Sequence, residues 1–263
     1  MGSSHPDTID FAGDYNLNGV ILQNHAGTGG KFGEGGVNIQ TIVQELNIYE
    51  SIFNNAITGT LVIGDTKNQI ARLRLQGLER ISFKVTTPGQ TGLKDSIDFT
   101  EETGDPLHVY KITDRRMVNQ NLMTYKIHFA SREFLRNIRT RVSQAYSGRM
   151  DQMVASILGD ENYLDSRKRL FFQKTRNQDK IVVPNLNPFA AIGMMARRSL
   201  PEIDRSKGAG YLFYETTKGF HFRSWESLCV TKNGEQVKPK QRFRYIQVPV
   251  DRFGHEVIDE TGT

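Results

Sequence analysis

At Ser131 the apolar residues of this chain change their spacing, and that change limits the fold more than any other feature of the sequence. Before it, Val37, Ile39, Thr41 and Val43 occupy alternate positions, the period of a strand with one buried face. After it, Phe134, Leu135, Ile138 and Val142 recur at helical spacing and leave Arg132, Arg136, Arg139 and Arg141 on the other faces. A chain that keeps the two periods in separate blocks belongs to the α+β class.

In the first block, short β-rich runs at 57–63, 81–85, 107–113 and 122–129 are separated by turn residues, the pattern of a small antiparallel barrel or sandwich. Asn119-Gln120-Asn121 reads as the turn of a hairpin. The polar stretch 86–104, with Pro88, Gly89 and Gly92, reads as a long exposed excursion of the kind that binds partners.

Three helices are predicted next. Ser131 caps the first. Met150, Met153, Val154, Ile157 and Leu158 form one face of the second, which stops at Gly159. Asn187 as cap and Pro188 at the first position announce the third, which runs through Ile192 and Met195 and ends before Pro201. Their expected place is a packed insertion beside the strands. Strands then return as a hairpin, 211–215 and 220–223 around a Gly-containing turn, followed by a basic β region at 237–252 and a polar tail. The N-terminal 36 residues hold nine of the 24 glycines and little periodicity. The expected division is a flexible Gly-rich arm over 1–36, a β-barrel domain over 37–130, a helical insertion over 131–207, and a C-terminal β segment over 208–263.

Chemistry is sparse in this sequence. The six histidines are scattered, with no HExxH spacing, and the single Cys229 excludes both an internal disulfide and a multi-cysteine zinc site. Around Lys31 the glycines do not fit a phosphate loop, because His25 and Phe32 occupy positions that need Gly and Ser or Thr. The adjacent carboxylates Glu101-Glu102 and Asp160-Glu161 read as solvated loop charge. The expectation is a protein with no catalytic, metal-binding or cofactor-binding residues. The sequence lacks an apolar run of about 18 residues and a signal-peptide pattern, so neither membrane insertion nor export is expected.

The net charge is +5, and residues 132–176 carry ten Lys and Arg against five acids, which matches the whole excess. A solvated or subunit-facing surface accounts for this better than a nucleic-acid site, since the basic clusters Arg115-Arg116, Arg197-Arg198 and Lys238-Pro239-Lys240 have few interleaved aromatics.

Several segments occur together in a telling order. Ile48-Tyr49-Glu50-Ser51-Ile52-Phe53 is followed by Gly59-Thr60-Leu61, Asp65 and Leu75-Gln76-Gly77-Leu78-Glu79. Asn187-Pro188-Phe189-Ala190-Ala191-Ile192, Tyr211-Leu212-Phe213-Tyr214-Glu215 and the stretch from Gly219 to Leu228 come after them. In this set and order the chain resembles the baseplate hub proteins of contractile-tailed phages, a family related to type VI secretion spike hubs. The resemblance implies a tube-forming β-barrel, a helical insertion and the start of a second barrel. It further implies a homotrimer whose pseudo-sixfold ring joins the tail tube, or its initiator proteins, to the central spike. The expected location is the tail baseplate of a virion assembled in host cytoplasm, with non-specific contact to DNA passing through the channel. Tyr49, Glu50, Arg115 and Arg116 are the candidate subunit-interface residues. The alternative readings are a tail-tip peptidoglycan hydrolase and the hub of a type VI-like secretion machine.

Overall fold

The computed structural model describes residues 15–23, 36–66, 79–87, 96–100, 106–202 and 210–229. Contacts divide the chain into Met1–Ser227 and Leu228–Thr263, and of the second unit only Leu228 and the exposed Cys229 are described.

Alternating apolar residues build the first core. The strands are β1 (Asn16–Gln23), β2 (Val37–Asn38), β3 (Val43–Tyr49), β4 (Thr58–Asp65), β5 (Arg80–Thr86), β6 (Ile97–Asp98), β7 (Leu107–Asn119) and β8 (Leu122–Ala130). They form one antiparallel sheet in the order β2-β1-β5-β7-β8-β4-β3, with β6 added to β5. Val20 and Leu22, Ile81 and Phe83, Leu61 and Ile63, and Tyr125, Ile127 and Phe129 point to the same side and are buried. Phe83 meets the rings of Phe99 and Phe129 edge-on, at 5.4 and 6.0 Å. β7 and β8 form the expected hairpin, its turn held by the Asn121 amide donating to Asn119 Oδ1 at 3.0 Å.

Closure of the expected barrel is not seen among the described residues. Among the described residues no ladder pairs β2 with β3; a single 3-10 turn, Gln40–Ile42, joins these two end strands. Gln40 fastens the turn to β1, accepting from the Gly19 amide at 3.1 Å and donating to the Leu17 carbonyl at 2.6 Å. The 37–43 alternation therefore resolves into a two-residue strand, a turn and the start of β3, because Gln40 spends its hydrogen bonds on β1. In the glycine-rich N-terminal segment, 16–23 is not a free arm but a strand paired with β5. The remainder of that segment, most of the 86–104 excursion and the 237–252 region lie outside the described residues.

The second core gathers residues from Val142 to Phe222. Its elements are α1 (Arg132–Arg139), β9 (Val142–Arg149), α2 (Met150–Gly159), β10 (Leu170–Phe172), β11 (Gln178–Leu186), α3 (Pro188–Ala196), β12 (Tyr211–Thr216), β13 (Gly219–Ser224) and α4 (Trp225–Cys229). The helical insertion thus contains strands: β9 and β11 pair antiparallel, and Val142, Tyr146, Ile181 and Val183 face the core between them and α2. The predicted face of the first helix is corrected as well. Val142 begins β9, Ile138 is 55% exposed, and the buried residue of α1 is Glu133. The second and third helices bury the expected residues, among them Met153, Ile157, Ile192 and Met195, and α3 starts at Pro188 after Asn187. β13 pairs with β12 as an antiparallel hairpin and with β10 in parallel.

Candidate functional site

The four residues singled out from the sequence divide between two ends of the large sheet. Tyr49 closes β3 opposite Thr58, which pairs with Ala130, while Arg116 pairs with Thr124 on the same strand. Six residues of β8 separate the two levels, about 20 Å at strand rise. Tyr49 and Glu50 are therefore not brought together with Arg115 and Arg116.

At the first end, the segment 50–57 leaves the sheet and docks on the β12–β13 hairpin. Glu50 accepts from the Thr217 amide at 3.2 Å, Asn55 donates to the Phe213 carbonyl at 3.1 Å, and the Ile57 amide donates to Glu215 Oε2 at 2.8 Å. Phe53 stacks on Trp225 with centroids 6.0 Å apart, and the two rings stay 71% and 48% exposed. Tyr49 beside them is 49% exposed. Glu50 thus has a partner inside its own chain, whereas Tyr49, Phe53 and Trp225 present apolar area to the outside.

At the other end, irregular pairing after Thr113 and a positive φ of 54° at Asp114 turn the β7–β8 hairpin tip away from regular register. Arg115 lies against Met123, with Nε 3.1 Å from its sulfur, and Met117 and Val118 are well exposed. The tip combines two cations with two apolar side chains.

Between the two cores lies an ionic cluster that the sequence reading did not single out. Lys168 Nζ donates to Glu133 Oε2 at 3.1 Å and to Glu215 Oε1 at 2.6 Å, with all three side chains nearly removed from solvent. Ser166 Oγ donates to Glu133 Oε1 at 2.6 Å. Burial pushes the Glu215 carboxyl above the usual range, against the opposing pull of Lys168, and Glu133 adds to the rise. The sequence held one signal: Glu215 follows Tyr211 and Phe213 at an inward position of β12. Its partners could not be paired from spacing, since 47 and 35 residues separate Lys168 from Glu215 and Glu133. Both glutamates are paired with the same buried lysine.

His221 lies between Phe171 and Tyr214, stacked at 4.9 and 4.8 Å on neighbouring strands. Its Nε2 is 2.9 Å from Thr216 Oγ1, which also lies 3.3 Å from the Gly219 carbonyl. Nδ1 is buried without a hydrogen-bond partner among the described residues. Burial, with Arg223 nearby, lowers the imidazole pKa to about 4. This strand-face histidine is neutral at neutral pH. Among the described residues no group of three or more His, Cys, Asp and Glu side chains could hold a metal ion, and no helix is long and apolar enough to cross a membrane.

No family model and no curated protein matches the chain. Solved structures overlap it in part. The 43 kDa tail protein of prophage MuSo2 from Shewanella oneidensis is 8% identical, with 79% of this chain and 53% of that one covered and a TM-score of 0.48. An E. coli component of the type VI secretion system, described as structurally similar to T4 bacteriophage tail proteins, is 12% identical, with 73% and 48% covered and a TM-score of 0.43. A tail protein from Neisseria meningitidis is also 12% identical, with 79% and 50% covered and a TM-score of 0.43. The chain spans about half the length of each of these solved chains. Each TM-score lies below 0.5, and the functional reading rests on this chain's own residues.

Proposed function

We propose that this chain is a structural, non-enzymatic subunit of the baseplate hub of a contractile tail, three copies of which form a ring between the tail tube and the central spike. One observation carries the reading. Four of the segments that bear the resemblance to hub proteins, 48–53, 187–192, 211–215 and 219–228, are far apart in sequence yet meet at one junction. The 48–53 segment supplies Glu50 and Phe53, the 211–215 segment Phe213 and Glu215, and the 219–228 segment Trp225, which meet through Asn55, Ile57 and Thr217. Phe189, from the 187–192 segment, packs its ring 5.9 Å from that of Phe213. Unrelated fragments that happened to look alike would have no reason to assemble into one contact set.

The exposed rings of Tyr49, Phe53 and Trp225 at this junction suit the apolar centre of a subunit contact, where aromatic anchors contribute most. Barrel closure in this reading is intermolecular: end strands left without a ladder in one copy pair with neighbours, which removes the exposed edges. Arg115 and Arg116 at the hairpin tip are candidate subunit-interface residues in this proposal, and non-specific contact with passing DNA belongs to it through phosphate attraction, which needs no base reading. The expected division into an arm, a barrel, an insertion and a C-terminal β segment belongs to the same proposal. The test is the mass and symmetry of the particle formed by the purified chain with its tube and spike neighbours. A threefold ring is expected; a chain that stays monomeric with both neighbours present overturns the reading.

A further inference from the structure

The cluster around Lys168 has the parts of a reaction centre rather than of a simple ion pair. Its amine is the nucleophile, 2.6 Å from one oxygen of the Glu215 carboxyl. The other oxygen of that carboxyl receives the Ile57 backbone N–H at 2.8 Å, the position of a donor that stabilises developing negative charge. Glu133 Oε2 lies 3.1 Å from the same amine and can take up its proton, while the Ser166 hydroxyl fixes the orientation of that base. Phe220 lies beside the amine, its ring centroid 5.9 Å from Nζ. Three charges in so dry a place are held at a desolvation penalty. One proton passed from Lys168 to Glu215 already leaves a neutral amine facing a neutral acid, and the burial-driven rise of the Glu215 pKa points the same way.

We propose that Lys168 and Glu215 join in the folded chain through an amide bond formed without any external enzyme. Lys168 Nζ attacks Glu215 Cδ and a C–N bond forms. Glu133 accepts the proton lost by the amine and delivers it to the departing hydroxyl as the Cδ–O bond breaks. One water leaves, no electrons are transferred to an outside acceptor, and Glu133 returns to its starting state. A cavity of about 390 Å³, lined by Lys168, Glu215, Ile57 and the β12–β13 turn, adjoins the pair and receives the water. The product replaces two buried charges by a neutral amide and ties the segment before β10 to β12. Such a link suits a part that must keep its shape under load, but it is argued from the cluster alone and does not depend on the hub reading.

Intact-mass spectrometry of the folded wild-type chain decides the matter. The expected mass is one water below the sequence mass, and digestion should yield a branched peptide joining Lys168 to Glu215. The full sequence mass, or a water loss mapped to any other pair, overturns the proposal. Lys168→Arg, which keeps a cation between the glutamates but cannot form this amide, should retain the full mass. Glu133→Gln should also retain it, and continued loss of water in that variant would remove Glu133 from the mechanism. Because the wild-type mass alone decides whether the bond exists, a variant that fails to fold does not shelter the proposal.

Discussion

Gly59 shows how much a single position can fix. It lies in β4 beneath the Phe129 ring, and a Cβ added there would overlap both that ring and the Asn47 carbonyl. Gly59→Ala is expected to destabilise the chain by about 1–3 kcal/mol, the range for overpacking a dense core, read from urea unfolding. Two histidines set the response to acid. His108 is lowered to about 4 by burial and by Arg80 and Arg132, and His221 to about 4 by burial and Arg223, from an ordinary 6.5. A histidine with a depressed folded pKa binds fewer protons when folded than when unfolded, so stability falls as pH drops from about 6.5 toward 4. Asp151 acts in the same sense, but in a lower pH range. Burial raises its pKa, but hydrogen bonds from Arg149 and Thr175 outweigh this and hold it below 3.8, so its contribution is lost only at lower pH still. Thermal melts across pH should show the first decline between about 6.5 and 4, and His221→Phe, which keeps an aromatic between Phe171 and Tyr214, should flatten it. An unchanged slope in that variant would locate the acid sensitivity elsewhere.

Among the elements, those with a strong local signal were legible in the sequence. α3 begins where Asn187 and Pro188 place it, and β12 and β13 form the hairpin that the Gly-containing turn announced. β9 and β11 were hidden because Ser143, Gln144, Ala145 and Ser147 carry weak strand preference and the pairing partner is distant in sequence. The first helix was misread for a different reason. A buried glutamate satisfied by a lysine 35 residues away inverts the face that apolar spacing assigns. The ionic cluster was unreadable for the same cause, since only tertiary structure pairs its members. Gln40 is the element-scale residue of most consequence, because its side chain fastens the 3-10 turn to β1 by two hydrogen bonds. Gln40→Ala should lower stability by about 1–3 kcal/mol, with faster hydrogen exchange at the Gly19 amide than at the core strand β8.

For the whole molecule, two cores share a junction built from the 50–57 segment, the β12–β13 hairpin and the Lys168 cluster, and exposed aromatics sit on its outer side. Among the described residues no ladder joins β2 to β3, and in the proposed ring a neighbouring copy would cover these end strands. The pair Phe53→Ser and Trp225→Ser should weaken association by at least tenfold while leaving the melting temperature of the isolated chain nearly unchanged, because the two residues are 71% and 48% exposed. Particle mass and symmetry, measured on the chain mixed with tube and spike neighbours, test the central claim most directly. The account predicts a threefold ring whose hub mass is three times the 29.9 kDa of one chain. A particle containing a single copy, with both neighbours present, would contradict it.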